Sequence, residues 1–306
     1  FKDHSARWAP ADQTMPLITD GWAGDVDGDG WDDLVLATDW GPVRWWRNQA
    51  GRGFEERTAE AGFDRAGRGW WSRIAAGDLN GDQWPDFVVG NAGLNTPYQA
   101  SFDEPVVLID GDLGGRRPML LEAYYHDGEL VPRRNRKDVV GQVRNVARKY
   151  RDHARYADAT VRDLFGAARI EAARHHEADE MRSGVFLSSG PGQYKFEPLP
   201  RLAQISAVTA VVTGDFDGDG FTDVVVGHND HRPIDLLGWF EGGMGLLLKG
   251  DGQGGLVPVP AAESGVVIPG AVQSIQILDL KGDGALDLHV TRKNAAGMLM
   301  NNQSNR

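Results

Sequence analysis

"DVDGDGWDDLVLAT", Asp25–Thr38, places aspartates at positions one, three, five and nine of a loop, Asp25, Asp27, Asp29 and Asp33, with Gly30 at position six. An apolar run follows at once. Carboxylates this close repel one another unless a positive charge stands between them. A hard divalent cation with six to eight oxygen ligands answers that repulsion, and alternate-residue spacing lets a tight loop wrap it. Position seven, Trp31, would supply a backbone carbonyl, leaving its side chain free to vary. Gly30 permits the bend that returns Asp33 to the ion. Position twelve is Leu36 rather than glutamate and a strand-like run follows instead of a helix, which argues against an EF-hand.

Asp and Gly also fill ordinary turns, so repetition carries the argument. "GDLNGDQWPDFVVGN" sets Asp78, Asn80, Asp82 and Asp86 in the same register, with Trp84 at position seven. "GDFDGDGFTDVVVGH" does so with Asp215, Asp217, Asp219 and Asp223, with Phe221 at position seven. "LDLKGDGALDLHVT" repeats it with Asp279, Asp283 and Asp287, but puts Lys281 at position three. A stretch from Leu108, "LIDGDLGGRRPMLLEAYY", reads either as a shortened, metal-free copy interrupted by Arg116 and Arg117 or as an ordinary hairpin. Counting it as the third, loops one and four are expected to bind calcium best and loop two more weakly, since Asn80 removes a charge and Gln83 replaces the bend glycine. Loop five is expected to hold none, with Lys281 as counter-charge to its aspartates.

Hairpin-like stretches trail the loops: "VRWWRNQAGRGFEERT", "GVFLSSGPGQYKFEPLP" and "GLLLKGDGQGGLVPVP". Loop, strand and hairpin make about four strands per unit, the content of a propeller blade. The expected fold is therefore an all-β propeller of about five blades in a single domain over 1–306. The N-terminal "FKDHSARWAP" would complete the last blade, whose "GMLMNNQSNR" stops short of a hairpin. The second unit shows no clear outer hairpin. Trp22, Trp70 and Trp71 are expected to pack between blades.

Residues 133–182 break the pattern. Val139, Val143, Val146 and Tyr150 fall on one helical face, and Thr160 is placed to cap a second helix. Thirteen basic and eight acidic residues give this stretch a net charge of +5 within a chain of −12. It reads as a helical insertion in the third blade, with a basic face that a partner could dock on. "RHHEADE" is taken as a solvated helix end, on which His175 and Asp179 could share an ion but the adjacent His175 and His176 could not.

The 306 residues are 41% apolar, enough for a substantial core, and carry 40 glycines but no cysteine. That excludes disulfides and thiol chemistry. The acidic balance offers no basic stripe for nucleic acid, and no apolar stretch reaches the roughly 18 residues of a membrane span. The chain opens on Phe1, with no leader, as a trimmed product would. Loops of modest affinity fill where calcium is plentiful, at about 10⁻⁴–10⁻³ M, so an extracellular or periplasmic location is expected.

Together these residues resemble the FG-GAP/VCBS repeat proteins, and more closely the bacterial members related to cartilage acidic protein and the ASPIC/UnbV group. The loops carry the likeness, with "GNAGLNTPYQAS", "ATVRDLFG" and "AAESGVVIPGAVQSI". The resemblance implies a calcium-stabilised extracytoplasmic propeller for ligand binding or adhesion, toward a glycan or a protein. The calcium motif is shared with integrin alpha propellers and many adhesins, so it specifies fold better than activity. Turns at one propeller face would gather Asp39, Trp40, Asn91, Asn95, His228, Asn229, Asp230, Arg232, Arg292 and Asn294 around a common mouth suited to a sugar or polar peptide. No catalytic constellation stands out. The alternatives are a lyase or glycoside hydrolase working in that mouth, which needs two facing carboxylates, and a structural subunit of a larger assembly.

Overall fold

In Asp86–Gly90 and Asp223–His228, the strands that follow two of the acidic loops, alternate residues face opposite ways, and both faces are covered. Phe87 and Val89 join one apolar cluster while Val88 joins the next, and Val224 and Val226 are likewise separated from Val225. A strand with period two and no polar face must sit in the middle of a sheet packed on both sides. The computed structural model, which describes Trp8, residues 17–234 and residues 238–303, is built on this plan.

The described residues are mostly β, in antiparallel sheets, and the chain divides into two compact units. One comprises residues 1–96 and 181–306, the other Pro97–Glu180. In the first unit the first sheet runs Leu17–Gly24, Asp33–Gly41, Arg44–Asn48 and Phe54–Glu56, with Gly69–Trp70 added beside Asp33–Gly41. The second sheet contains Arg73–Gly77, Asp86–Gly90, Gly184–Ser188 and Tyr194–Pro198. Val208–Gly214, Asp223–His228, Leu246–Gly250 and Leu256–Val259 make the third. The fourth has three strands, Val272–Leu278, Asp287–Arg292 and Ala295–Met300. A short hairpin, Asp230–Ile234 with Gly238–Phe240, branches from the third.

The leading strands of successive sheets lie against one another: Leu17–Gly24 on Arg73–Gly77, that strand on Val208–Gly214, and that on Val272–Leu278. Apolar faces fill the spaces between. Trp71, Phe63, Phe87 and Phe186 pack between the first two sheets, where Trp22 meets the Phe87 ring edge-on at 5.2 Å. Leu79, Val185, Leu199 and Leu248 pack between the second and third, and Phe216, Ile268, Ile275 and Leu288 between the third and fourth. Trp22 and Trp71 thus pack between sheets as expected, whereas Trp70 meets Trp40 of the first sheet edge-on.

The second sheet does have an outer hairpin. It lies beyond a long excursion, because Asp86–Gly90 pairs directly with Gly184–Ser188. What the sequence suggested as a helical insertion at 133–182 in a third blade belongs to a larger insert in the second sheet. Pro97–Glu180 carries its own sheet, in the order Glu129–Pro132, Met119–His126, Val106–Gly111 and Arg174–Ala178. The stretch from Leu108 is thus an ordinary hairpin strand, and its Asp110 pairs with Arg174 at 2.5 Å.

Val139, Val143, Val146 and Tyr150 are buried on one side as their spacing requires, but the helix breaks at Val143, giving Arg136–Gln142 and Arg144–Lys149. Thr160 caps Val161–Phe165 in a reciprocal capping box with Asp163. Gly166, at φ 84°, ends that helix before Ala167–Ala172. His175 and His176 are in a strand, not on a helix end. Pairing of Arg174–Ala178 with Val106–Asp110 overrides the helical spacing and turns the two rings to opposite faces. The N-terminal completion of the last blade falls outside the described residues, except that the Trp8 ring lies tilted 6.2 Å from that of Phe54 in the first sheet.

Candidate functional site

Each acidic loop joins the first strand of its sheet to the second. The position-one aspartate closes the turn by accepting backbone N–H groups. Asp25 takes Gly28 at 2.8 Å, Asp29 at 3.2 Å and Gly30 at 2.8 Å. Asp215 takes Gly218, Asp219 and Gly220 at 2.7, 3.2 and 2.9 Å, and Asp78 and Asp279 do the same in their loops. Position six needs a left-handed backbone, with φ of 84° at Gly30 and 89° at Gly220. Gln83 is forced into that region at φ 72°.

The position-nine aspartate does something the spacing did not suggest. Asp33, Asp86, Asp223 and Asp287 open the second strands and are fully buried. One oxygen accepts the N–H of the loop's second residue: Val26, Leu79, Phe216 or Leu280, at 3.4, 2.7, 3.0 and 2.9 Å. The other accepts an N–H at or just past the end of the third strand: Asn48, Ser188, Gly250 or Asn302, at 2.6, 2.6, 2.9 and 2.7 Å. Trp45 Nε1 adds a third donor to Asp33 at 3.0 Å. These four carboxylates staple three segments of a sheet together. Burial pushes the carboxyls of Asp33, Asp86 and Asp223 up despite the N–H donors that pull them down, Asp86 to about 6.

In two of the loops the middle aspartates meet a cation from the third strand. Arg47 pairs with Asp27 and, at 2.6 Å, with Asp29. Lys249 pairs with Asp217 and, at 2.8 Å, with Asp219. Each immediately precedes the residue that donates to the staple, so the two positions are equivalent. Hydrogen bonding to Asp217 and then Asp219 pushes the ammonium of Lys249 up, and Lys249 in turn holds the Asp219 carboxyl below its usual range. The same position is Leu187 in the second sheet and Asn301 in the fourth. Sequence reasoning missed Arg47 and Lys249. The available signal was a basic residue at one place in two hairpins, "WWRN" and "LLKG".

Two loops bring three carboxylates together. Ligand atoms of Asp25, Asp27 and Asp29 lie within 4.8 Å of one another, as do those of Asp215, Asp217 and Asp223. Asp27 Oδ1 is buried and accepts no hydrogen bond. Hard oxygens on alternate residues, one of them unmatched, suit a calcium ion. These are loops one and four. The second loop satisfies itself instead: Asn80 Nδ2 donates to Asp82 at 3.2 Å and to the Ser188 carbonyl at 3.0 Å. Lys281 is exposed. The position-seven side chains are not free either. The ring of Phe221 covers Gly252, Trp31 covers Gly51 and Trp84 covers Gly28, each so closely that an added Cβ would meet it at 2.3–3.2 Å.

The ten residues expected around a common mouth separate. Asn91 and Asn229 are buried and spent internally. Asn91 accepts from Trp70 N at 3.1 Å, and Asn229 donates to Gly243 and Gly270 and accepts from Gly242 and Gly243. His228 is buried, bonds the Ala203 carbonyl at 3.3 Å, and is held neutral by desolvation. Arg292 binds the carbonyls of Ala296 and Pro269. Asp39 sits in a strand between Leu17 and Trp70, Trp40 meets the Trp70 ring edge-on at 5.2 Å, Asn95 is exposed, and Asn294 makes a hairpin turn at φ 57°. The side chain of Arg232 lies outside the described residues. Only Asn229 and Asp230 line a cavity of about 410 Å³ where the four leading strands begin, together with Thr19, Ser72, Arg73, Thr209, Gln273 and Lys293.

No helix among the described residues is long and apolar enough to cross a membrane. No curated protein sequence matches the chain. The FG-GAP-like repeat profile matches residues 25–89, which begin on the first acidic loop, and residues 163–226, which begin within the helix Val161–Phe165 of the insert and run through the second sheet's outer hairpin to the strand Asp223–His228. The chain therefore carries FG-GAP-like repeats at two positions.

Proposed function

We propose that this chain is a calcium-stabilised extracytoplasmic binding or adhesion module whose sheets are blades of a β-propeller. The convergence of Asp25, Asp27 and Asp29, with Asp27 Oδ1 buried and unmatched, carries the reading. Asp25, Asp27 and Asp29 would hold one ion, and Asp215, Asp217 and Asp223 a second. Bound calcium supplies positive charge that offsets carboxylate repulsion. The protein supplies the rest: glycine turns, staples, and strands ordered by the loops. FG-GAP-like repeats and leading strands packed side by side support the propeller, and the repeats support a place outside the cytoplasm. The likeness to the cartilage acidic protein group belongs to the same reading.

Binding is favoured over hydrolysis by the lining of the 410 Å³ cavity. Among the described residues that line it, Asp230 is the one carboxylate, whereas glycoside hydrolysis by the usual route needs two. Calorimetric titration of chelator-treated protein tests the metal assignment. Two calcium sites are expected, with a higher melting temperature once they fill. No heat, and an unchanged melting curve in excess chelator, would remove the metal from the proposal. A glycan and protein-ligand array, run in calcium, tests binding.

A further inference from the structure

The four leading strands begin alike. The first, third and fourth each slip register at one residue, Thr19, Thr209 and Gln273, and Ser72 stands at the matching place before Arg73–Gly77. A bulge leaves its residue out of the ladder and re-aims the side chain, a device common beside functional sites. All four residues line the 410 Å³ cavity.

Two of their hydroxyls are spent on the neighbouring sheet. Thr19 Oγ1 donates to the Trp71 carbonyl, and Ser72 Oγ to the Val208 carbonyl, each at 2.5 Å. Each acceptor precedes the next bulge-position residue, so the series would send Thr209 to the Val272 carbonyl. It does not: Thr209 Oγ1 is buried and has no hydrogen-bond partner in the protein. A buried hydroxyl without a partner is unusual in a native fold and calls for a reason.

Charge gives the second observation. In a chain of net charge −12, this cavity presents Arg73 and Lys293 against Asp230. Their hydrogen bonds go to carbonyls: Arg73 to Ser72 at 2.8 Å and Gln273 at 3.3 Å, Lys293 to His231 at 3.2 Å. Each cation keeps donors to spare. His231 also lines the cavity and stacks at 4.3 Å on the exposed ring of Trp239.

We infer that this cavity binds the carboxylate of a sugar-sized polar ligand, a hexuronate or its like, with Lys293 and Arg73 holding the anion and Thr209 Oγ1 meeting a ligand hydroxyl. The inference rests on the reading of the chain as a binding module. It does not route the carboxylate through calcium, because the acidic loops lie at the other ends of these strands, about 20 Å away for a strand of seven residues.

The test is calorimetric titration at constant calcium with sodium glucuronate, glucose and inorganic phosphate. Glucuronate is expected to bind, with glucose, which lacks only the carboxylate, at least tenfold weaker. Lys293→Met should weaken glucuronate at least tenfold and Thr209→Val a few-fold, with circular dichroism and the calcium titration unchanged. A methyl glycoside binding as well as the free acid would identify a glycan end as the source, and its exclusion the free acid. Equal affinity for glucose or phosphate, or full affinity in both folded variants, would overturn the assignment. If Lys293→Met fails to fold, Thr209→Val decides alone. Absence of glucuronate binding alongside a positive array result overturns this inference only, whereas a blank array removes the binding-module reading itself.

Discussion

Replacing Asp86 by asparagine separates a staple from a metal ligand. The wild-type carboxylate is fully buried and accepts Leu79 N at 2.7 Å and Ser188 N at 2.6 Å. An amide has one acceptor oxygen, so the variant keeps one of these bonds and turns an NH₂ group toward the other donor. A hydrogen bond to a charged acceptor contributes about 1.5–3 kcal/mol, and a buried N–H left unmatched adds its desolvation cost. The expected loss is about 3 kcal/mol, read as a lower urea midpoint by tryptophan fluorescence. That loss should be the same in excess chelator as in calcium.

Acidification sharpens the test. Burial raises the folded Asp86 carboxyl to about 6, above its unfolded 3.8, so the folded state binds more protons between those values. Wild-type stability from this group is therefore greatest at low pH and falls as pH rises through 6. By linkage, going from about pH 7 to about pH 4.5 adds about 2 kcal/mol to the wild type and nothing to the variant. The deficit of Asp86→Asn should widen on acidification. A deficit present only in calcium, or one that narrows as pH falls, would refute the staple.

Arg47→Met removes the guanidinium facing Asp27 and Asp29. Calcium affinity at the first loop should rise about tenfold, the order expected for one nearby charge at an effective dielectric well above the protein interior; calorimetry checks it, and weaker binding would show that Arg47 organises the loop instead. Gln83→Gly should stabilise by about 0.5–1 kcal/mol, because the residue at φ 72° bears a left-handed strain that glycine lacks, partly offset by glycine's freer unfolded chain; thermal melting gives the answer.

The sequence by itself determined whatever is written in local spacing. Alternate aspartates followed by a bend make a tight turn whatever surrounds it, and the apolar runs behind them read as strands. The cap at Thr160 and the buried row Val139, Val143, Val146 and Tyr150 were legible for the same reason: each is an offset of a few residues along one chain.

Tertiary structure decided which distant segments meet. Asp86 reaches Ser188, 102 residues on, and that pairing places the second sheet's outer hairpin beyond an insert with a sheet of its own. The staple role of the aspartates at position nine was not legible, because spacing records a carboxylate but not the two N–H groups that enclose it. Arg47 and Lys249 reach their aspartates only through strand pairing, and the "RHHEADE" histidines became a strand because an edge was there to pair with. Hydrogen-bond partners and counter-charges are properties of what lies alongside in space, and a one-dimensional pattern of residues carries that information only where the neighbours are also neighbours in sequence.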